Sequence, residues 1–240
     1  MPLFLRAAPW ILLFFAGASL YSFFNVVICR SQAGRSFISG RSRCESCGHA
    51  LGPLDLVPLL SWLFLRGHCR YCGTRLSPRY AVTEALGGML ALACAAIFGF
   101  TADALFTYLL LCVLSVCFLF EYDTGGFPAW LPAFAAVPAL ALAFAVPGTG
   151  IRGRLAGAAI CLLPPALFRL LRKEAVSLPA LVLAFTCGFA LGLFCGLAAV
   201  LFSAAAAGIF HLMGQVRLLH FLPCWCCGTS AALLLCNAFV

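Results

Sequence analysis

Apolar runs of membrane-spanning length recur from residue 7 to the C-terminus of this 240-residue chain, and they narrow the possible folds sharply. A segment in hydrocarbon must satisfy its own backbone N–H and C=O groups, which an α-helix of about 20 apolar residues does. Only 9% of the residues are charged, against about one quarter in a soluble globular domain, and 64% are hydrophobic. The expected fold is an all-α polytopic membrane protein of about eight transmembrane helices, with a cytoplasmic four-cysteine zinc-binding loop. Its spans fall at residues 7–28, 80–100, 104–121, 128–147, 155–171, 178–194, 196–214 and 226–240. The sixth and seventh share one apolar run, so nothing in the sequence marks the boundary between them. The first span lacks a small-residue cleavage site and is expected to remain a span rather than a removable signal peptide.

The net charge of +8 raises the question of nucleic acid, and the distribution of charge answers it. Eight of the fifteen Lys and Arg residues lie between Arg30 and Arg79, the one sizeable polar segment. If that segment is cytoplasmic, eight spans put Arg169, Arg172, Lys173 and Arg217 on the same side and only Arg6, Arg152 and Arg154 outside, twelve against three. This is the positive-inside asymmetry, and it places the N-terminus outside. The basic excess is explained by topology and contact with anionic lipid head groups; no nucleic acid is needed.

Inside the polar segment stand two Cys-x-x-Cys-Gly knuckles, Cys44-Glu45-Ser46-Cys47-Gly48 and Cys69-Arg70-Tyr71-Cys72-Gly73. A Cys-x-x-Cys turn presents two sulfurs to one metal, and the following glycine permits the left-handed backbone that such a turn needs. Cys44, Cys47, Cys69 and Cys72 are therefore expected to close a tetrahedral site for zinc, with iron as the other metal compatible with four thiolates. Incidental cysteines, a pair of disulfides or a redox Cys-x-x-Cys explain the spacing less well, because no strand–helix pattern surrounds either pair. Of the other cysteines, Cys94, Cys112, Cys117, Cys161, Cys187 and Cys195 lie within spans, where cysteine serves as a small apolar residue. Cys224, Cys226 and Cys227 form either a second metal cluster or a chance grouping in an apolar segment.

The chain divides into residues 1–79, one span plus the basic loop, and residues 80–240, a helical bundle. Residues 54–66 carry an apolar face and are expected to form a short helix, either lying on the bilayer surface or buried in a zinc-stapled subdomain. Gly and Ala are abundant over 187–208, which allows close helix approach. Glu84, inside the second span, is a costly place for a carboxylate and is read as functional or as paired with Arg79. Asn25, within a span, is read as hydrogen-bonding across helices or facing a polar cleft. With four cysteines filling the metal site, His49 and His68 are expected around it rather than on it. His211 and His220 have no acid or nucleophile in register.

The segment from Arg41 to Gly88 resembles the N-terminal region of bacterial prepilin leader peptidases. The resemblance rests on Ser22–Arg30 (SFFNVVICR), both knuckles, Asp55–Gly73 (DLVPLLSWLFLRGHCRYCG) and Leu76–Gly88 (LSPRYAVTEALGG), in the same order and spacing. It implies a multi-pass protein of the bacterial inner membrane, whose partners are prepilin or pseudopilin N-terminal helices of type IV pili or type II secretion. It also implies removal of the leader peptide, methylation of the new N-terminus from S-adenosylmethionine, and an intramembrane aspartic dyad. No glycine fingerprint of a nucleotide-type cofactor site accompanies it, so the methyl donor is implied by the resemblance alone.

Two carboxylates are needed in such a dyad because one activates water while its protonated neighbour donates to the carbonyl. Carried onto this chain, the first catalytic position falls on Glu121, seven residues before Pro128, or on Asp123 if the alignment slides. The second falls within Ser177-Leu178-Pro179-Ala180, where Ala180 stands in place of the aspartate. An alternative placement over Met213–Leu219 offers Gln215 instead. Of the seven acidic residues in the chain, Glu45 lies within the first knuckle, Asp55 near the second and Asp103 at the outer end of a span, which leaves Glu84, Glu121, Asp123 and Glu174 to build a pair. Loss of the second aspartate leaves a non-cleaving, prepilin-binding pseudopeptidase as the competing reading.

Overall fold

The computed structural model describes residues 3–36, 38, 40–124, 128–145, 150–172, 176–212 and 221–237. The described residues form eight helices and no named strand: α1 (Leu3–Gln32), α2 (Leu60–Phe64), α3 (Pro78–Phe98), α4 (Ala102–Thr124), α5 (Leu131–Ala145), α6 (Ile151–Arg172), α7 (Leu178–Leu212) and α8 (Phe221–Asn237). Four stretches are long and apolar enough to cross a membrane: Ala7–Gln32, Pro78–Phe98, Ala102–Thr124 and Leu178–Ala207. Leu131–Phe144 and Cys226–Leu235 are apolar but shorter. α6 has the length, but it carries Arg152 and Arg154 at one end and Arg169 and Arg172 at the other.

The chain forms two compact units, Met1–Ala93 and Cys94–Val240. In the first, α1 ends where Gly34 adopts φ +63°. Arg35 N–H then reaches back to Arg30 O at 2.8 Å and Gly34 N–H to Ser31 O at 3.1 Å, which satisfies carbonyls left over at the helix end. α3 opens on Pro78, whose fixed φ suits a first helical turn and whose missing N–H costs nothing there. α1 and α3 meet where side chains vanish. A Cβ on Gly17 would come 2.7 Å from Gly87 O, and one on Gly87 or Gly88 would strike Tyr21 or Phe14. The Gly87-Gly88 pair is thus a helix-crossing point.

In the second unit α6 packs on α7, α7 on α8 and α5, and α4 on α5 and α8. Leu110, Leu111, Leu114, Leu183 and Leu233 are fully buried there, and Cys112, Cys117, Cys161 and Cys187 fill the same interior as small apolar groups. The sixth and seventh expected spans run together as α7, but Gly192 inside it has φ 71° and ψ −171°, which is not helical. Gly188 and Gly196 would lie about 12 Å apart on a straight helix. Both instead approach Gly157: a Cβ on Gly157 would meet Gly188 O at 2.6 Å, and one on Gly196 would touch Gly157 at 3.4 Å. The chain bends sharply at Gly192, a few residues before the expected junction.

Residues 54–66 do not form one helix. A 3₁₀ turn (Pro53–Leu56) is followed by a break at Pro58-Leu59 and then α2. Pro58 supplies no N–H and disfavours helical backbone in the residue before it. The apolar face survives the break: Leu54 (72%), Leu63 (53%) and Phe64 (82%) are all exposed.

Candidate metal centre and the adjoining cavity

The two knuckles fold as copies of one another, 25 residues apart. In the first, Cys44 N–H donates to His49 O at 3.0 Å, Gly48 N–H to Cys44 O at 2.9 Å, and Leu51 N–H to Ser42 O at 2.8 Å. In the second, Cys69 N–H donates to Thr74 O at 2.8 Å, Gly73 N–H to Cys69 O at 2.9 Å, and Leu76 N–H to Gly67 O at 2.7 Å. Gly48 and Gly73 share φ values of 69° and 70°, the left-handed backbone expected of them. Each turn aims its two sulfurs at the other turn's pair.

The four Sγ atoms lie within 4.8 Å of one another, with Cys44 Sγ and Cys72 Sγ 3.9 Å apart. A tetrahedron of sulfurs at the Zn–S distance of about 2.3 Å has edges of about 3.8 Å, so the donor set fits a four-thiolate metal. The electrostatics agree. Backbone N–H groups of Cys47 and Ser46 pull the Cys44 thiol down. The Thr74 hydroxyl, 3.3 Å from Cys72 Sγ, and the Thr74 N–H pull Cys72 to about 6. Cys47 has the His49 N–H in its favour, yet burial and the neighbouring Cys44 and Cys72 sulfurs push it up to about 11. So many sulfurs do not all ionise side by side without a cation. Among the described residues no second such cluster occurs; Cys226 and Cys227 lie on α8, and the Cys224 side chain is outside the described set.

The residues around the sulfurs have other duties, as expected. The His49 ring lies on Tyr71 with centroids 3.7 Å apart, and His68 Nδ1 is 2.8 Å from Arg66 O. Asp55 was passed over in the sequence and turns out to be the buckle of the loop. Its buried carboxylate accepts the Gly52 N–H at 3.1 Å, Arg70 Nε–H at 2.7 Å and the Tyr71 hydroxyl at 3.0 Å. The 3₁₀ turn is thereby tied to the second knuckle. Burial raises the Asp55 pKa, but these three donors outweigh it and hold the carboxyl below its ordinary value.

Glu84 is also committed to the loop. Its buried carboxylate accepts the Leu59 N–H at 2.7 Å, a backbone partner that the sequence did not single out. Leu59 sits at φ 62° and ψ −49°, and Leu60 N–H donates to Pro58 O at 2.6 Å. This is a γ-turn with positive φ, rare and strained for a leucine. Next to Glu84 in sequence, Thr83 Oγ1 accepts from Asn25 Nδ2 of α1 at 2.7 Å, an interhelical hydrogen bond. After the strained turn comes Trp62, whose ring packs 3.0 Å from where a Gly67 Cβ would stand.

Between α1, the knuckles and α3 lies a cavity of about 780 Å³. Six arginines line it (Arg30, Arg35, Arg41, Arg43, Arg70 and Arg75), against three carboxylates, Glu45, Asp55 and Glu84. Asp55 and Glu84 are already engaged as described. S-adenosylmethionine carries a sulfonium and an ammonium for one carboxylate. That carboxylate would find guanidinium partners here, whereas two cations would not, so the wall fits an anion better than it fits this cofactor.

In the second unit Glu121 and Asp123 stand at the C-terminal end of α4, Glu121 half-buried and Asp123 exposed. Two positions apart on a helix, they point to different faces and form no dyad with each other. Asp103, in the first turn of α4, is about 27 Å from Glu121 along the axis. Ala180 is buried in the first turn of α7. Glu174, the remaining candidate, lies outside the described residues, as do Gln215 and His220.

Comparison with known proteins agrees with this division. Residues 15–98 match the bacterial peptidase A24 N-terminal domain. A prepilin leader peptidase/N-methyltransferase of Myxococcus xanthus is 37% identical over 150 residues, 62% of this chain and 45% of that protein. One of Burkholderia pseudomallei is 40% identical over 88 residues, 37% of this chain and 28% of that protein. One of Aeromonas hydrophila is 47% identical over 55 residues, 23% of this chain and 19% of that protein. The chain thus matches less than half the length of these relatives, and no solved structure matches it. Residues 15–98 thus match a bacterial peptidase A24 N-terminal domain, and over that region the chain is similar to prepilin leader peptidases/N-methyltransferases.

Proposed function

We propose that this chain is a zinc-containing pseudopeptidase of the bacterial inner membrane, which binds prepilin or pseudopilin N-terminal helices and does not cleave them. Its knuckle loop faces the cytoplasm, where thiols stay reduced, and Cys44, Cys47, Cys69 and Cys72 hold one zinc ion that staples the loop. The carrying observation is the state of the dyad positions: Ala180 cannot hold a proton, and Glu121 and Asp123 face apart on one helix. The enzymatic reading, with Glu121 or Asp123 as one catalytic carboxylate, requires Glu174 as the other, and flanking Arg172 and Lys173 would keep that group ionised rather than sharing a proton. Type IV pilus or type II secretion service follows from the relatives' names and from the integrity of the A24 N-terminal domain.

The test is photo-cross-linking of the full chain, in membranes, to a prepilin bearing a probe in its N-terminal helix. Specific cross-links should form and persist in Glu121→Gln and Asp123→Asn, and fall in Cys44→Ser as the loop loses its metal. Absence of cross-links in the wild-type chain, with an intact relative labelled in parallel, overturns the reading.

A further inference from the structure

The cavity of the first unit is not explained by the four-cysteine site, which contributes only Cys44 and Cys69 to its wall, nor by the dyad positions of the second unit. We infer that it is a site for an acidic phospholipid, whose phosphate sits against the arginine wall and whose chains run beside α1. This goes beyond the prepilin-binding reading and does not depend on it.

Three observations carry the inference. The guanidinium groups of Arg35, Arg41 and Arg75 line the cavity and make no hydrogen bond or salt bridge among the described residues, while those of Arg30, Arg43 and Arg70 are tied to Ser36 and Gly40, to Gly48, and to Asp55. Three uncommitted guanidiniums on one concave wall suit a phosphate, which accepts several charge-assisted hydrogen bonds at once. Trp62 also lines the cavity, and its indole Nε1–H is buried with no acceptor. A buried donor without a partner is costly, and a ligand oxygen would relieve it. Finally, α1 contributes wall residues from Ser22 to Arg30, about 12 Å along its axis, and the candidate span on that helix ends at Gln32. The wall therefore runs from hydrocarbon depth to the basic surface. A soluble anion would use only the surface end; a lipid uses both.

The experiment is native mass spectrometry of the full, metal-loaded chain in uncharged detergent, titrated with phosphatidylglycerol or phosphatidylcholine. One phosphatidylglycerol should be retained at least ten-fold more strongly than phosphatidylcholine. The triple variant R35Q/R41Q/R75Q should lose that preference with its metal retained, whereas R66Q/R152Q, at arginines outside the wall, should keep it. Trp62→Phe keeps an aromatic ring but removes the indole N–H and should weaken retention by a few fold. Equal retention of the two lipids, or equal loss in the control variant, overturns the site. So does displacement of the lipid by millimolar inorganic phosphate, which would mean a headgroup-only anion pocket. Displacement by S-adenosylmethionine would overturn it in favour of the cofactor.

Discussion

Glu84 and Leu59 illustrate how much one hydrogen bond can organise. Leucine in a positive-φ turn carries about 1–3 kcal/mol of strain, and a carboxylate is among the strongest acceptors available to its N–H. Glu84→Ala removes that acceptor and leaves a buried N–H unpaired, for a loss of about 1–3 kcal/mol. Glu84→Gln keeps an oxygen in place and should lose less. Amide hydrogen exchange over Leu59–Leu65 checks both; equal exchange in Ala and wild type would rule out the clamp. From the sequence Glu84 was visibly out of place, but its partner was not legible, since a backbone N–H has no letter of its own. Asp55 was missed for a related reason: its three donors come from positions 52, 70 and 71 and meet only in the folded loop. Its pKa is lowered in the fold, so its contribution is present above the ordinary carboxylate value and lost as pH falls through the folded value. Exchange in the 3₁₀ turn should accordingly rise on acidification below the usual carboxylate range, and Asp55→Asn should flatten that pH dependence.

Among the elements, the small residues decide where helices touch. Gly87 leaves room for the Tyr21 ring at the α1–α3 crossing. Gly87→Leu should cost about 1–3 kcal/mol by overpacking and shift the thermal unfolding of the zinc-loaded chain downward. Val82→Leu, at an exposed position on the same helix, should leave that unfolding unchanged. If both variants behave alike, the two helices do not cross at the glycine pair. The helical character and order of the long apolar segments were legible because uninterrupted apolar runs leave the backbone little alternative, although four stretches rather than eight are long and apolar enough to cross a membrane. The bend in α7 was not: the run from 178 to 212 is apolar throughout, and only the left-handed φ of Gly192 marks the break. The split of residues 54–66 had a readable cause in Pro58, whereas the γ-turn beyond it depends on Glu84, 25 residues away.

For the molecule as a whole, the two units differ in how far their chemistry could be read from local patterns. The knuckle cysteines were legible because metal-ligand spacing is local, each pair lying within one turn. A dyad is different. Its members come from helices far apart in sequence, and no pattern within one helix can show that a partner is missing. Glu121 and Asp123 read as alternative candidates from the sequence, and the structure places both at the end of α4 and Ala180 at the head of α7, with Glu174 outside the described residues. The most direct test of the central claim is intact-mass analysis of a prepilin incubated with the purified, metal-loaded chain, beside a relative with both aspartates. The account predicts an unchanged prepilin mass here and loss of the leader with the relative; loss of the leader with this chain would contradict it.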